Sequence, residues 1–409
     1  MLRSSESPAW RCLGRGFHYF PPAWVKVMPT WNPQRYRANG ERQGVSSDVL
    51  DAAIWINQQI HGVDPRLPTI LTLRHLSVLT DTPFYYLDEV VSRVAGHYKR
   101  VLFRKKVPGR TQYREIHIPE EPLLSVQSWI TNNILRNTAA HRASFAYHPE
   151  SEPVFAARVH CPCRWLLKVD IEDFFHNISE GKIFLVFSGL GYPRLLSFEL
   201  ARITTMVRPE LATEKPPPTN RWPTIARYRS EREGFLPQGA PTSPMLSNLV
   251  MRQTDERLAA IGASAGLRYT RYADDLAFSA DGEQTRAMMD RFKRRVLDEL
   301  RRAGFKHNHQ KTSLHGPGAR RIVLGTLVDT DEPRLSREFK DEIRQHLYYL
   351  RSPAHGPAVH AGRRRMSVST LYHHVRGKIA WAGRVEPEFG AACLNDFQTI
   401  LWPPIDFNR

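Results

Sequence analysis

Cysteine is scarce in this chain. Only Cys12, Cys161, Cys163 and Cys393 occur in 409 residues, too few and too scattered for a disulfide framework, so a reducing cytoplasm is the expected compartment. No unbroken apolar run reaches the length of a membrane span. The first residues mix Trp, Pro and Arg and lack the compact apolar segment of a secretory signal. Export and membrane insertion are therefore not expected. Acidic residues are also in deficit: 41 Asp+Glu face 58 Lys+Arg, leaving +17 with histidines neutral. Partners held by charge should be anionic. Hydrophobic residues are plentiful, 41% with 10% aromatic. That is enough for a sizeable core and excludes a disordered basic tail as the whole molecule.

The length fits two or three domains, and the pattern along the chain suggests where they divide. Residues 1–45 carry Pro8, Pro21, Pro22, Pro29 and Pro33 among basic and aromatic residues without periodicity, which reads as a loose, disordered basic arm. Residues 46–97 turn helical: Ala53, Ile56 and Ile60 recur at turn spacing, and Thr82-Pro83 opens a run through Leu87, Val90 and Val94. Two short β-like runs, Val101–Phe103 and Tyr113–Ile118, flank a basic turn from Arg104 to Arg110. Leu123, Val126, Ile130 and Ile134 predict a helix reaching about Asn137. Leu166–Ile171 reads as a strand, residues 214–224 as a proline-rich insertion, and Tyr269–Ala280 as strand, turn, strand. Thr285–Ala303 is the clearest helix, with Met289, Phe292, Val296 and Leu300 on one face and Gly304 as its stop. A last one, Ser336–Arg351, places Phe339, Ile343, Leu347 and Leu350 inward. The fold class is α+β.

The residues that carry chemistry are acidic. Asp274 and Asp275 sit between apolar, β-prone neighbours in Arg271-Tyr272-Ala273-Asp274-Asp275-Leu276, and adjacent carboxylates near a core are costly unless a cation neutralises them. Alone, such a pair is usually a solvated turn. A second acidic stretch, Asp170-Ile171-Glu172-Asp173, ends an apolar strand, with Asp173 as a helix cap. If the two strand ends lie side by side, Asp170, Asp274 and Asp275 form a cluster of oxygen ligands suited to two Mg²⁺ ions. Between the acidic blocks runs Gly234-Phe235-Leu236-Pro237-Gln238-Gly239-Ala240-Pro241-Thr242-Ser243-Pro244, a loop entering a helix that Ser243 could cap.

In kind, order and spacing these blocks resemble reverse transcriptases of the bacterial retron type, over roughly residues 70 to 390. The resemblance implies a right-hand polymerase: fingers and palm over 98–334, with an antiparallel sheet and helices in the palm, and a helical thumb over 335–409. Asp170, Asp274 and Asp275 would hold the catalytic metals. Gln238 and Gly239 would border the incoming nucleotide. Phe175 would lie as an aromatic gate under the sugar, selecting deoxynucleotides. Lys105, Lys106 and Arg114 would meet the triphosphate, Arg114 through its planar fork, and Lys311 would donate a proton to departing pyrophosphate. The resemblance further implies a structured non-coding RNA as template, priming from an internal 2′-hydroxyl, a covalent RNA–DNA hybrid product built from dNTPs, and phage defence through a separate effector protein.

Two blocks depart from the family pattern: Ala156 stands where Asn is usual in Asn-Ala-x-x-His, and Leu324 where Thr is usual in Val-Thr-Gly. His160-Cys161-Pro162-Cys163 lacks a second cysteine pair at ligand spacing, so no structural zinc is expected there. Arg363-Arg364-Arg365 and Arg376 to Trp381 suit a nucleic-acid backbone in the thumb. The rival readings are the reverse transcriptase of a mobile intron or another defence lineage, and a nucleic-acid-binding scaffold without turnover. Three carboxylates brought near phosphate disfavour the scaffold.

Overall fold

The computed structural model describes residues 32–94, 97–107, 110–149, 151–207, 228 and 233–404. The first 31 residues of the expected basic arm and the proline-rich stretch at 214–224 lie outside them. The chain divides into two units, one ending at Trp55 and one running from Ile56 to Arg409. In the first, helix α1 (Pro33–Arg42) corrects the reading of residues 1–45 as a loose arm. Asn32 caps it, its side-chain oxygen accepting from the Arg35 amide at 3.0 Å, and Pro33 occupies a first-turn position. No residue of α1 is buried, so apolar periodicity carries no trace of it. Helix α2 (Ser47–Val63) follows.

The second unit continues with α3 (Leu73–Leu79) and α4 (Phe84–Ser92). α4 stops two residues short of the expected Val94: Arg93 takes the left-handed conformation, with φ 60°, and Val94 is exposed. The basic hairpin is longer than expected. β1 (Tyr98–Val107) and β2 (Arg110–Pro119) pair in register from Tyr98↔Pro119 to Val107↔Arg110, so Arg104–Val107 and Arg110 are strand rather than turn. Charged side chains are tolerated on a two-stranded ribbon exposed to water, which hides them from a propensity reading. α5 (Leu123–Asn133) ends in a 3-10 turn at Leu135–Asn137, and α6 (Pro153–Arg158) precedes the central sheet.

That sheet is antiparallel: β3 (Trp165–Asp170), β4 (Arg268–Tyr272), β5 (Asp275–Ala280) and β6 (Ser313–His315) lie in the order β4-β5-β3-β6. The strand period of two sorts its faces. Leu167, Val169, Leu276 and Phe278 join the main core with residues of α9 (Ser243–Ser264) and α10 (Arg286–Arg302). Leu166 and Ala277 face a smaller cluster with Ala157, Cys163, Val323 and Val328. Between β3 and β4, α7 (Glu180–Gly189) and α8 (Arg194–Thr204) pack on the main core. A small sheet of β7 (Ile322–Val323), β8 (Thr326–Leu327) and β9 (Arg334–Leu335) leads to the C-terminal helices. These are α11 (Arg337–Arg351), α12 (Gly356–Arg363), α13 (Val368–Val385) and α14 (Pro387–Gln398), with a core of their own around Ile343, Leu347, Leu371, Val375, Ile379 and Phe397. The fold is α+β, an antiparallel sheet surrounded by helices. No described helix is long and apolar enough to cross a membrane.

Two contacts fix this architecture. At the α13–α14 crossing, a Cβ on Gly390 would stand 2.2 Å from the Gly383 Cα, so only glycine permits that approach. In the sheet, Arg271 of β4 is fully buried and grips Asp255 of α9 with two bonds, Nε to Oδ1 at 2.8 Å and Nη2 to Oδ2 at 2.7 Å. Tyr269 donates to the same carboxylate at 2.7 Å. Arg271→Met should therefore destabilise the chain by about 3–5 kcal/mol in denaturant unfolding, because the Asp255 carboxylate stays buried without its partner. Gly390→Ala should cost about 1–3 kcal/mol, with loss of amide-exchange protection in α13 and α14 and little change in the central sheet.

Candidate active site

The acidic site is built by register. Asp170, the last residue of β3, is paired across the sheet with Asp275, the first of β5. Directly opposite residues of an antiparallel pair share a face, with Cα atoms roughly 4.5–5.5 Å apart. Tyr272 pairs with Asp275, leaving Ala273 and Asp274 as a two-residue bend. Ala273 is left-handed, with φ 56°, a costly conformation for a residue with a Cβ. Two contacts hold the bend there: Nη1 of Arg271 donates to the Ala273 carbonyl at 3.1 Å, and the Ile171 amide to that of Asp274 at 3.0 Å.

The three carboxylates feel one another. Burial, reinforced by the charge of Asp170, raises the Asp274 carboxyl above its ordinary range. Burial and then the charge of Asp274 do the same to Asp275. Lys311 binds Asp170, Nζ to Oδ2 at 2.7 Å. Burial pulls its ammonium down, but the hydrogen bond and charge of Asp170 outweigh that and leave it raised. The loop bearing Lys311 is pinned to the strand end: the Asn308 amide donates to the Asp170 carbonyl at 2.8 Å, and Asn308 Oδ1 accepts from the amides of Gln310 and Lys311.

Of the other expected residues, Arg114 and Phe175 connect to this end directly or through Tyr147. Arg114, exposed on β2, is close enough for its charge to act on Asp274 and Tyr147. Phe175 is half-buried, its ring centroid 5.4 Å from that of Phe174 and 6.2 Å from that of Tyr147. Gln238 and Gly239 are held against β2. The His117 amide donates to the Gln238 carbonyl at 2.7 Å, and a Cβ on Gly239, whose φ is +117°, would meet Ile116 at 2.5 Å and the His117 oxygen at 2.9 Å. Lys105 and Lys106 lie on β1, but their side chains are outside the described residues.

Some expectations are corrected. Asp173 is not a side-chain cap; it takes a left-handed turn, with φ 44°, and its backbone carbonyl accepts from the Asn177 amide. Thr242, not Ser243, is the N-cap residue of α9. Lys378 is engaged by Glu342 at 2.8 Å, whereas Arg363, Arg364, Arg365 and Arg376 are exposed.

Sequence reasoning missed Tyr147, Asn308 and the Arg271–Asp255 pair, whose roles come from contacts between distant segments. The departures from the family pattern have structural settings. Ala156 is fully buried in α6. Leu324 and Gly325, both with positive φ, form the β7–β8 turn, and Leu324 lines a small cavity with Lys168, Tyr272 and Asp275. Away from the sheet, Glu342, His346 and His374 place ligand atoms within 4.8 Å of one another and could hold a metal ion.

Comparison with known proteins agrees with this geometry. Residues 104–325 match the family model described as reverse transcriptase (RNA-dependent DNA polymerase). The chain is 28% identical over 334 residues to the Retron Ec86 reverse transcriptase of Escherichia coli, covering 81% of this chain and 95% of that one. It is 28% identical over 413 residues to the Retron Mx162 reverse transcriptase of Myxococcus xanthus, covering 96% and 76%. Likeness to a solved structure, apo telomerase from Candida tropicalis, is slight, with 11% identity and a TM-score of 0.37 over 73% of this chain and 60% of that one. With a reverse transcriptase model spanning more than half of its length and retron enzymes as relatives, the chain belongs to the reverse transcriptase family, as an RNA-directed DNA polymerase of the bacterial retron type.

Proposed function

We propose that the sheet end bearing Asp170, Asp274 and Asp275 is the catalytic centre and binds two Mg²⁺ ions. The supporting observation is the cross-strand pair Asp170↔Asp275 beside the Asp274 bend, a donor set of carboxylate oxygens that suits a hard divalent ion. When bound, such ions supply the charge that eases displacement of pyrophosphate by the primer hydroxyl. In this reading the central sheet with its helices is the palm, the β1–β2 hairpin belongs to the fingers, and residues 335–409 form the thumb. Residues 46–97 are a helical lead-in.

The chain's own residues bind and select the substrate. Arg114, together with Lys105 and Lys106, receives the triphosphate of a dNTP, the guanidinium gripping two oxygens at once. Phe175, backed by Phe174 and Tyr147, lies under the sugar and excludes a 2′-hydroxyl by contact. Gln238 borders the nucleotide with its amide, and Gly239 lets the loop approach β2. Lys311 remains charged and steadies Asp170; giving its proton to pyrophosphate requires releasing that carboxylate.

The partner is a structured non-coding RNA that serves as template and primes from an internal 2′-hydroxyl, giving a covalent RNA–DNA hybrid. The biological role is phage defence with a separate effector protein. Family membership supports these last readings. Nucleic acid copurifying with the full chain should contain DNA that stays joined to RNA after phenol extraction and is freed by a 2′,5′-debranching enzyme; DNA that runs free beforehand would remove the priming assignment.

Primer extension with Mg²⁺ tests the site itself. Asp275→Asn should lower deoxynucleotide incorporation by about two to three orders of magnitude, the scale of losing one transition-state charge contact, while RNA binding persists. Equal incorporation by variant and wild type would end the proposal. The same variant should melt at a higher temperature than wild type without divalent ions, since it removes a charge opposed by burial and by Asp274. Phe175→Ala should raise the ratio of ribonucleotide to deoxyribonucleotide incorporation roughly tenfold or more; an unchanged ratio would remove the gate.

A further inference from the structure

The C-terminal helices gather a second set of metal-ligating side chains, far in sequence from the acidic strand ends. Glu342 and His346 stand four residues apart on one face of α11, and His374 reaches toward them from α13. His346 is only 1% exposed. Its Nδ1 lies 2.9 Å from Nε2 of His360 on α12. Its Nε2 is buried and has no hydrogen-bond partner, the nearest carboxylate oxygen being Oε1 of Glu342 at 3.9 Å. A buried ring nitrogen left unpaired is costly, so this one calls for a ligand. The contact with His360 carries one shared proton. With that proton on His346 Nδ1, Nε2 is a bare lone pair directed toward Glu342 and His374.

We propose that Glu342, His346 and His374 form a binding site for a divalent transition metal of the Zn²⁺ class that ties α11 to α13, with His360 orienting the buried ligand from behind. The chemistry of the donors selects the ion. Two imidazoles and a carboxylate suit Zn²⁺ and its neighbours, whereas Mg²⁺ prefers oxygen alone. Burial, helped by the charge of Arg364, pushes the His346 imidazole down to about 4, so at neutral pH no proton has to leave before it binds. The His346–His360 contact is the outer hydrogen bond that fixes the tautomer of a metal-bound histidine. Ligands around a tetrahedral Zn²⁺ lie about 3.4 Å apart. Loading the site therefore draws the exposed His374 and the half-buried Glu342 inward and leaves a fourth position for water.

Lys378 is the built-in competitor. Its ammonium holds Oε2 of Glu342 at 2.8 Å and keeps that carboxylate below its ordinary range through the hydrogen bond. It therefore opposes the metal for the same side chain while holding Glu342 ionised.

The test uses untagged full-length protein with saturating Mg²⁺, so that oxygen-only sites are filled, and adds Zn²⁺ or Co²⁺ as the probe. Wild type should retain about one equivalent of Zn²⁺ through gel filtration, melt at a higher temperature with Zn²⁺, and give with Co²⁺ a visible absorption without the near-ultraviolet band of thiolate ligation. His374→Ala, at an exposed position where folding should survive, and Glu342→Gln should each weaken Zn²⁺ binding at least about tenfold. Lys378→Ala should tighten it several-fold. No Zn²⁺ retained by wild type, equal retention by folded His374→Ala, or a thiolate band that assigns the metal to Cys161 and Cys163 would each overturn the proposal.

Discussion

The guanidinium of Arg271 and the carboxylate of Asp255 meet where no water reaches either, and the bend bearing Asp274 is built on that pair. Taking two ions out of water is expensive, and the cost is offset only when geometry is good and the remaining polar atoms are satisfied. Here both conditions hold. The guanidinium makes a double bond pair with Asp255 and uses its remaining nitrogen on Asn248 and on the Ala273 carbonyl. Asn248 in turn ties to Ser144 and to the Ala146 carbonyl. A helix, a strand, a loop and a bend are thus joined through one buried network, and the left-handed Ala273 is tolerated because every neighbour requires it.

The electrostatics run on two scales. Over the whole molecule, +17 draws nucleic acid and nucleotides by long-range attraction. At the sheet end the sign reverses, because three acidic residues crowd one edge and burial raises two of them. A basic protein with a small acidic focus attracts polyanions overall, while that focus favours cations. Lys311 already occupies Asp170.

Local chemistry was legible wherever one element carried its own signal. The spans Thr285–Ala303 and Ser336–Arg351 were read from apolar residues three and four apart, and the structure differs by a residue at the ends, with Thr285 and Ser336 as the N-caps of α10 and α11. α1 has a capping Asn32 and a first-turn Pro33 but no apolar face to read, because it buries nothing. The hairpin strands were read short because basic residues on an exposed ribbon look like a turn. Tyr147 and Asn308 were invisible as participants, since each acts through a segment distant in the chain: Tyr147 against Phe175, Asn308 against Asp170.

The order and spacing of the blocks around Asp170, Gln238 and Asp274-Asp275 carried the resemblance to reverse transcriptases, and the family match bears that resemblance out. What they left open was register. Moving β3 by one residue along β5 would turn Asp170 toward the main core and Val169 away from it, and nothing in either strand's composition forbids that in isolation. Only packing of the alternate faces, Leu167, Val169, Leu276 and Phe278 into the main core and Leu166 and Ala277 against the smaller cluster, brings Asp170 opposite Asp275. The reason is physical: a strand's choice of face is made by what covers it, and the cover here comes from other elements, α9 and α10 on one face and residues of α6 and the β7–β8 region on the other.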